Sequence, residues 1–99
     1  MNETAASPRT IFIIRHAEKP GDPPPPHGVD VTGEGDKHSL EPVGWQRAGG
    51  LVGLFAPSWG SVRSGILTPG ELYSPGYATP TKTAGARTYQ TILPLSQVL

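Results

Sequence analysis

The 99-residue chain has no cysteine, no long apolar run and no net charge. The absence of cysteine excludes disulfides and thiolate metal sites. Equal numbers of basic and acidic residues, eight of each, remove the electrostatic argument for nucleic acid or an anionic membrane as the main partner. No apolar stretch approaches the roughly 18 residues that a membrane span requires. The first residues also lack the basic start and apolar core of a signal peptide, so we expect the cytoplasm as the compartment.

Glycine and proline are abundant, and much of both falls in one stretch. The 13 glycines and 12 prolines make up about a quarter of the chain. We expect residues 1–8 to be a flexible lead-in and residues 20–40 to be a long loop insertion, since PGDPPPPHGVDVTGEG has almost nothing to bury. Within that loop, Pro23–Pro26 predict a short polyproline II rod. A ligand for a proline-binding module is the alternative for this run.

The apolar pattern predicts the order strand, helix, strand, helix. Ile11–Ile14 indicate a strand buried on both faces, and Glu71–Ser74 a short second one. Helices are predicted over Pro42–Phe55 and Arg87–Leu99, the second kinked at Pro94. This order is typical of a βαβα unit with a parallel sheet, here a portion of a three-layer α/β/α sandwich. Because two strands and two helices cannot enclose a core, we expect the chain to be one incomplete domain.

The first predicted helix contains four glycines: Gly44, Gly49, Gly50 and Gly53. Each costs roughly 0.8–1 kcal/mol relative to alanine in a helix interior. Such a helix needs tertiary packing to form, and we expect its bare face to lie very close to the predicted sheet.

Arg15 and His16 follow the first predicted strand, and Arg87 opens the last predicted helix. In open α/β sheets, ligands bind beyond the carboxyl ends of the strands, and a helix start favours a phosphate. Arg15 and Arg87 could therefore grip one phosphoryl group from two sides, with His16 facing its phosphorus. The alternative for each residue taken singly is a solvated surface side chain.

Four segments in order resemble the histidine phosphatase superfamily (phosphoglycerate mutase-like). They are IFIIRHAEKP at 11–20, LEPVGWQRA at 40–48, LYSP at 72–75 and RTYQT at 87–91. The resemblance implies that His16 becomes phosphohistidine and that Arg15 and Arg87 clamp the phosphate. It also implies an orienting, phosphate-binding role for Glu18, a phosphomonoester or phosphoprotein substrate, and no metal or cofactor.

The chain departs from the family pattern in two respects. Glu41 stands where the family usually has Thr, so we expect a poor N-cap that still suits the helix dipole. The family's second histidine, and in many members an acid for the leaving group, follow the Arg87 element, and the chain ends before them. We therefore expect the 99 residues alone to be inactive. His27 and His38 match neither role and are expected to be exposed loop histidines.

Two other functions stay open beside phosphomonoester hydrolysis. One is a non-catalytic module that binds a phospho-ligand through the two arginines. The other is a phosphomutase, which differs from a phosphatase in its contacts to the rest of the substrate. A nucleotide-binding protein is set aside, because residues 44–53 contain neither a GxGxxG nor a GxxxxGK[ST] pattern.

Overall fold

The computed structural model describes residues 10–75 and 86–99, and within these ranges it contains two α-helices and no β-strand. Helix α1 spans Pro42–Phe55, helix α2 spans Ala86–Ser96, and the two pack against each other. The predicted portion of an α/β/α sandwich with a parallel sheet is therefore wrong for the described residues. The lead-in at 1–8 and the loop residues 76–85 lie outside the described ranges.

Neither predicted strand forms, because neither finds a partner in the described part of the chain. Ile11 and Ile13 are 81% and 92% exposed, whereas Phe12 and Ile14 are exposed by less than half. The exposure alternates because only one side of the segment packs against another described residue. On that side the Phe12 ring contacts the Phe55 ring edge-on, with centroids 5.5 Å apart. A strand also needs a second backbone to receive its hydrogen bonds. No described segment, residues 71–74 included, pairs with this one.

Helix α1 has the predicted bounds and a better start than the sequence indicated. Pro42 occupies the first turn, where its missing N–H costs nothing. The Glu41 carboxylate accepts a hydrogen bond from the Gly44 N–H at 2.8 Å. The expectation of a poor N-cap is therefore wrong: the longer glutamate side chain makes the bond that a threonine would otherwise make.

Gly44 allows helix α1 to approach the chain beside the predicted site very closely. A Cβ at position 44 would overlap the Glu18 carbonyl oxygen and lie 3.0 Å from the Glu18 nitrogen. The three other glycines of the helix have open space at the same point. The expected close approach thus occurs at one glycine, and its neighbour is the Glu18 backbone rather than a sheet.

Helix α2 presents a partly polar face to the rest of the chain. It ends at Ser96, three residues before the predicted end, and it contains Pro94. Its buried residues are Ala86, Gln90, Thr91 and Leu95. Leu99, the last residue of the predicted helix, lies beyond its observed end and is 50% exposed. The buried amide and hydroxyl require hydrogen-bond partners, and these partners lie in the candidate site.

The core of the described residues is small and lies between the predicted motif segments. Ala17, Leu40 and Ala48 form its buried cluster, and the half-buried Trp45 packs against them. The indole N–H of Trp45 donates to the Val29 carbonyl at 2.8 Å, so the long loop is fastened to helix α1. Each of the three core residues belongs to a segment that the sequence marked as a motif or as its flank.

The loop at 20–40 is irregular, as predicted, and it is organised by its own hydrogen bonds. The Gly21 N–H donates to the Pro26 carbonyl at 2.9 Å, so residues 21–26 close a tight turn and the expected polyproline II rod is wrong. Farther along, Asp30 accepts bonds from the residue 32 hydroxyl and amide and from the residue 34 amide. These bonds, with that of the Thr32 hydroxyl foremost, hold the pKa of Asp30 below its ordinary value.

Candidate functional site

His16 is half-buried, and in the sequence it stands between the apolar run Ile11–Ile14 and the long loop at 20–40. Its Nδ1 lies 2.7 Å from the Ala17 carbonyl oxygen. Because a carbonyl oxygen can only accept, Nδ1 carries the proton in this hydrogen bond. In the neutral ring Nε2 then holds the lone pair, and Nε2 is the nitrogen available for nucleophilic attack.

Thr91 joins the His16 segment to helix α2. The Ala17 N–H donates to the Thr91 hydroxyl oxygen at 2.8 Å, and that hydroxyl donates to the Arg87 carbonyl at 2.7 Å. Ala17 and Thr91 are both buried, so water does not compete for the bond between them. One hydroxyl thus brings together the two segments that carry the predicted nucleophile and one arm of the predicted phosphate clamp.

The Arg87 side chain is held by the long loop and retains an unused donor. Its Nη2 donates to the Lys37 carbonyl at 2.7 Å. Its Nε is buried and has no hydrogen-bond partner among the described residues. Buried N–H groups are nearly always paired in proteins. An oxyanion beside Nε would satisfy this one, and the charge of the guanidinium would strengthen the bond.

Gln90 fixes the loop segment that holds Arg87. Its side-chain oxygen accepts from the Leu40 N–H at 2.8 Å, and its nitrogen donates to the Ser39 hydroxyl oxygen at 2.8 Å. Gln90 and Ser39 are fully buried, so both bonds are protected from water. These two bonds fix the end of the loop next to Lys37. Because the Arg87 guanidinium donates to the Lys37 carbonyl, the fixed loop also orients the guanidinium.

Glu18 is engaged by a residue that the sequence interpretation did not single out. Arg47 donates from Nε to both carboxylate oxygens, at 3.1 and 3.0 Å, and from Nη2 to one of them at 2.8 Å. These bonds hold the pKa of Glu18 below its ordinary value, which favours the ionised carboxylate. The predicted roles of Glu18 in orientation and phosphate binding remain predictions.

Among the described residues, three other candidates make no hydrogen bond to this cluster. The Arg15 side chain is exposed and has no hydrogen bond or ion pair within the described ranges, so its role as the second arm of the clamp remains a prediction. His27 is exposed in the long loop, as predicted, whereas His38 in the same loop is half-buried, so the expectation of an exposed side chain is wrong for His38. Among the described residues, no group of three or more His, Asp or Glu side chains is arranged to hold a metal ion.

The linking residues Thr91 and Gln90 were present in a recognised motif but had no predicted role. Thr91 follows Arg87 by four positions, which places both on one helix face. That spacing was the available signal. The partners of the two side chains, Ala17 and Leu40, lie 74 and 50 residues away in the sequence and are set by tertiary packing.

Comparison with known proteins finds no relative of this chain. No family model matches the chain, and no curated protein or solved structure matches it. Neither helix of the described ranges has the length and apolar character needed to cross a membrane.

Proposed function

We propose that the protein is a phosphoryl-transfer enzyme that hydrolyses phosphomonoesters through a phosphohistidine at His16. The observation that carries this proposal is the Thr91 hydroxyl bond, which ties the His16–Ala17 peptide to the helical turn of Arg87. It brings together the segments of an imidazole with a free Nε2 lone pair and of a guanidinium with an unused buried donor. The resemblance to the histidine phosphatase superfamily supports the same reaction.

The reaction has two displacement steps at phosphorus. The Nε2 lone pair attacks the phosphorus in line, a P–N bond forms, and the P–O ester bond breaks with its electron pair leaving on the ester oxygen. That oxygen takes a proton from solvent and departs as the alcohol. Water then attacks the phosphohistidine, the P–N electrons return to Nε2, and phosphate and a proton are released. Arg87 stabilises the charge on the equatorial oxygens, with Arg15 as the second proposed arm.

The substrate class in this proposal is a small-molecule phosphomonoester or a phosphoprotein, and no metal or cofactor is needed for the two steps. We also propose that the protein is located in the cytoplasm. Fractionation of cells that express the tagged protein tests this location. Transfer to a second hydroxyl in place of water would make the enzyme a phosphomutase. The ratio of free phosphate to transferred phosphate measures that difference.

The test of the proposal is direct detection of the phosphorylated residue. The complete gene product is mixed with a generic phosphomonoester and quenched rapidly. We expect an acid-labile, base-stable adduct of one phosphoryl group, mapped to His16 by mass spectrometry after digestion at alkaline pH. An adduct that maps to another residue would overturn the assignment of the nucleophile.

Binding of an anion without formation of a phosphoryl adduct would favour the non-catalytic alternative. If the complete product binds inorganic phosphate or vanadate and no adduct forms with any phosphomonoester, the enzyme proposal fails. The non-catalytic module that binds a phospho-ligand through its arginines is then the function that stands. Failure to bind either anion rejects both functions.

Replacing Arg15 or Arg87 by lysine is expected to weaken the binding of phosphate or vanadate by about 1.5–3 kcal/mol. Lysine keeps the charge but cannot reproduce a charge-assisted bidentate contact. Titration calorimetry measures the loss. Arg63→Lys is the matched control, because Arg63 is exposed and lies in a loop outside the site. Unchanged affinity in Arg15→Lys or Arg87→Lys would remove that residue from the clamp.

A further inference from the structure

Packing and hydrogen bonds hold Ala17 in place, and its carbonyl accepts the hydrogen bond from His16 Nδ1. The Ala17 side chain packs in the buried cluster, and its N–H donates to Thr91. The next carbonyl along the chain, that of Glu18, accepts a hydrogen bond from the Glu41 N–H at 3.1 Å. The backbone on both sides of Ala17 is therefore fixed. Because His16 Nδ1 bonds to the Ala17 carbonyl, the same bonds fix the acceptor that selects the tautomer of the ring.

Thr91 supplies the side-chain contact to the peptide between His16 and Ala17. Its hydroxyl cannot rotate freely, because it donates to the Arg87 carbonyl of its own helix while it accepts from Ala17. The oxygen lone pair is thus aimed at the Ala17 N–H. A change at this oxygen would release the peptide that carries the imidazole while leaving the imidazole itself unchanged.

We propose that Thr91 is a positioning residue: its hydroxyl holds the His16–Ala17 peptide so that the imidazole keeps Nδ1 protonated and Nε2 free. The inference rests on the proposed function, because it assigns Thr91 a purpose in the attack of Nε2. Thr91 does not touch the phosphoryl group in this scheme. It acts through His16 alone, and its contribution is the orientation of the nucleophile relative to the turn of Arg87.

The experiment compares Thr91→Ser with Thr91→Ala. Both variants lose the methyl group, and only the serine variant keeps the hydroxyl, so the pair isolates one oxygen atom. Ser96→Ala is the matched control, because the Ser96 hydroxyl donates to the Leu93 carbonyl of the same helix but is exposed to solvent. Two properties are measured: the ¹⁵N chemical shifts of the His16 ring nitrogens, which report the tautomer, and the rate of adduct formation with a generic phosphomonoester.

We expect Thr91→Ser and Ser96→Ala to retain both the Nδ1-protonated tautomer and the wild-type rate. Thr91→Ala is expected to shift the ring nitrogens toward a mixture of tautomers and to slow adduct formation roughly 10- to 100-fold. Far-ultraviolet circular dichroism checks that the alanine variant keeps its helices, and alanine favours the helix. If the alanine variant nevertheless unfolds, Thr91→Ser keeps the proposal falsifiable. The serine variant must match the wild type in both tautomer and rate, and a difference in either would overturn the positioning role.

The outcomes separate this inference from the function on which it rests. Equal tautomers and equal rates in the serine and alanine variants overturn the positioning role while the adduct, and with it the proposed function, stands. A shifted tautomer in the alanine variant with no adduct in any protein, wild type included, means that the hydroxyl positions the ring but the proposed reaction is wrong. An equal effect from Ser96→Ala would show a general consequence of changing helix α2 and would also overturn the positioning role.

Discussion

The His16→Ala variant is expected to form no phosphoryl adduct and to lose phosphomonoester turnover by a factor on the order of a thousand or more. Alanine has no nitrogen to attack phosphorus, so the two-step path is closed and only direct attack by water remains. The charge of Arg87 is untouched by the substitution, so the variant should still bind inorganic phosphate. A loss of adduct with retained anion binding is the pattern that distinguishes a nucleophile from a binding residue. Quenched-flow detection of the adduct and calorimetry with phosphate measure the two properties.

His27→Ala provides the control for the loss of a histidine as such. His27 is exposed in the long loop and belongs to no part of the proposed mechanism. Its replacement should leave adduct formation and phosphate binding unchanged. Wild-type turnover in His16→Ala would contradict the mechanism, as would an equal loss in both variants. A loss of phosphate binding in His16→Ala would instead assign His16 to the binding of the anion.

The helices were the part of the fold that local sequence could predict. Pro42 suits the first turn of a helix, and the Ala56-Pro57 step ends one, so the bounds of α1 follow from backbone chemistry alone. The N-cap was misjudged because propensity compares side chains in isolation. The Glu41 carboxylate reaches the Gly44 N–H in this chain, which a ranking of cap residues does not show.

The predicted strands were wrong for a physical reason that the pattern does not contain. Apolar alternation and β-branching determine which side of an extended segment can be buried. They do not supply the second backbone that makes the segment a strand. Phe12 has its aromatic neighbour in Phe55, yet Ile13 remains 92% exposed, since the described residues offer no partner to that side.

The segments of the candidate site could be recognised from the sequence, whereas the hydrogen bonds that connect them could not. The motif residues His16 and Arg87 can be recognised from sequence because residue types and short motifs are local features, and Arg87 also lies in the first turn of helix α2. The hydroxyl of Thr91 and the carbonyl of Lys37 acquire roles only when distant segments pack. Arg47 shows the same limit, because its bonds to Glu18 depend on how closely helix α1 approaches the motif.

That approach is governed by Gly44, and Gly44→Ala is expected to destabilise the fold by about 1–3 kcal/mol. The new Cβ would overlap the Glu18 carbonyl oxygen, and a rotamer change cannot relieve the overlap, because that oxygen is a backbone atom and no χ angle moves a Cβ. Helix α1 must move away from the motif. The hydrogen bond from the Glu41 N–H to the Glu18 carbonyl is then lost or lengthened, and the buried position of Ala17 is disturbed with it.

Gly50→Ala is the matched control in the same helix, because a Cβ at position 50 meets open space. In that variant alanine should instead stabilise the chain by roughly 0.5–1 kcal/mol, through its higher helix propensity. Urea unfolding followed by the circular dichroism of the helices should therefore shift in opposite directions for the two variants. Because the Glu18 carbonyl adjoins Ala17, Gly44→Ala should also reduce the rate of adduct formation at His16, whereas Gly50→Ala should not. Stabilisation by both alanines would show that Gly44 is not needed for the close approach of helix α1 to the motif.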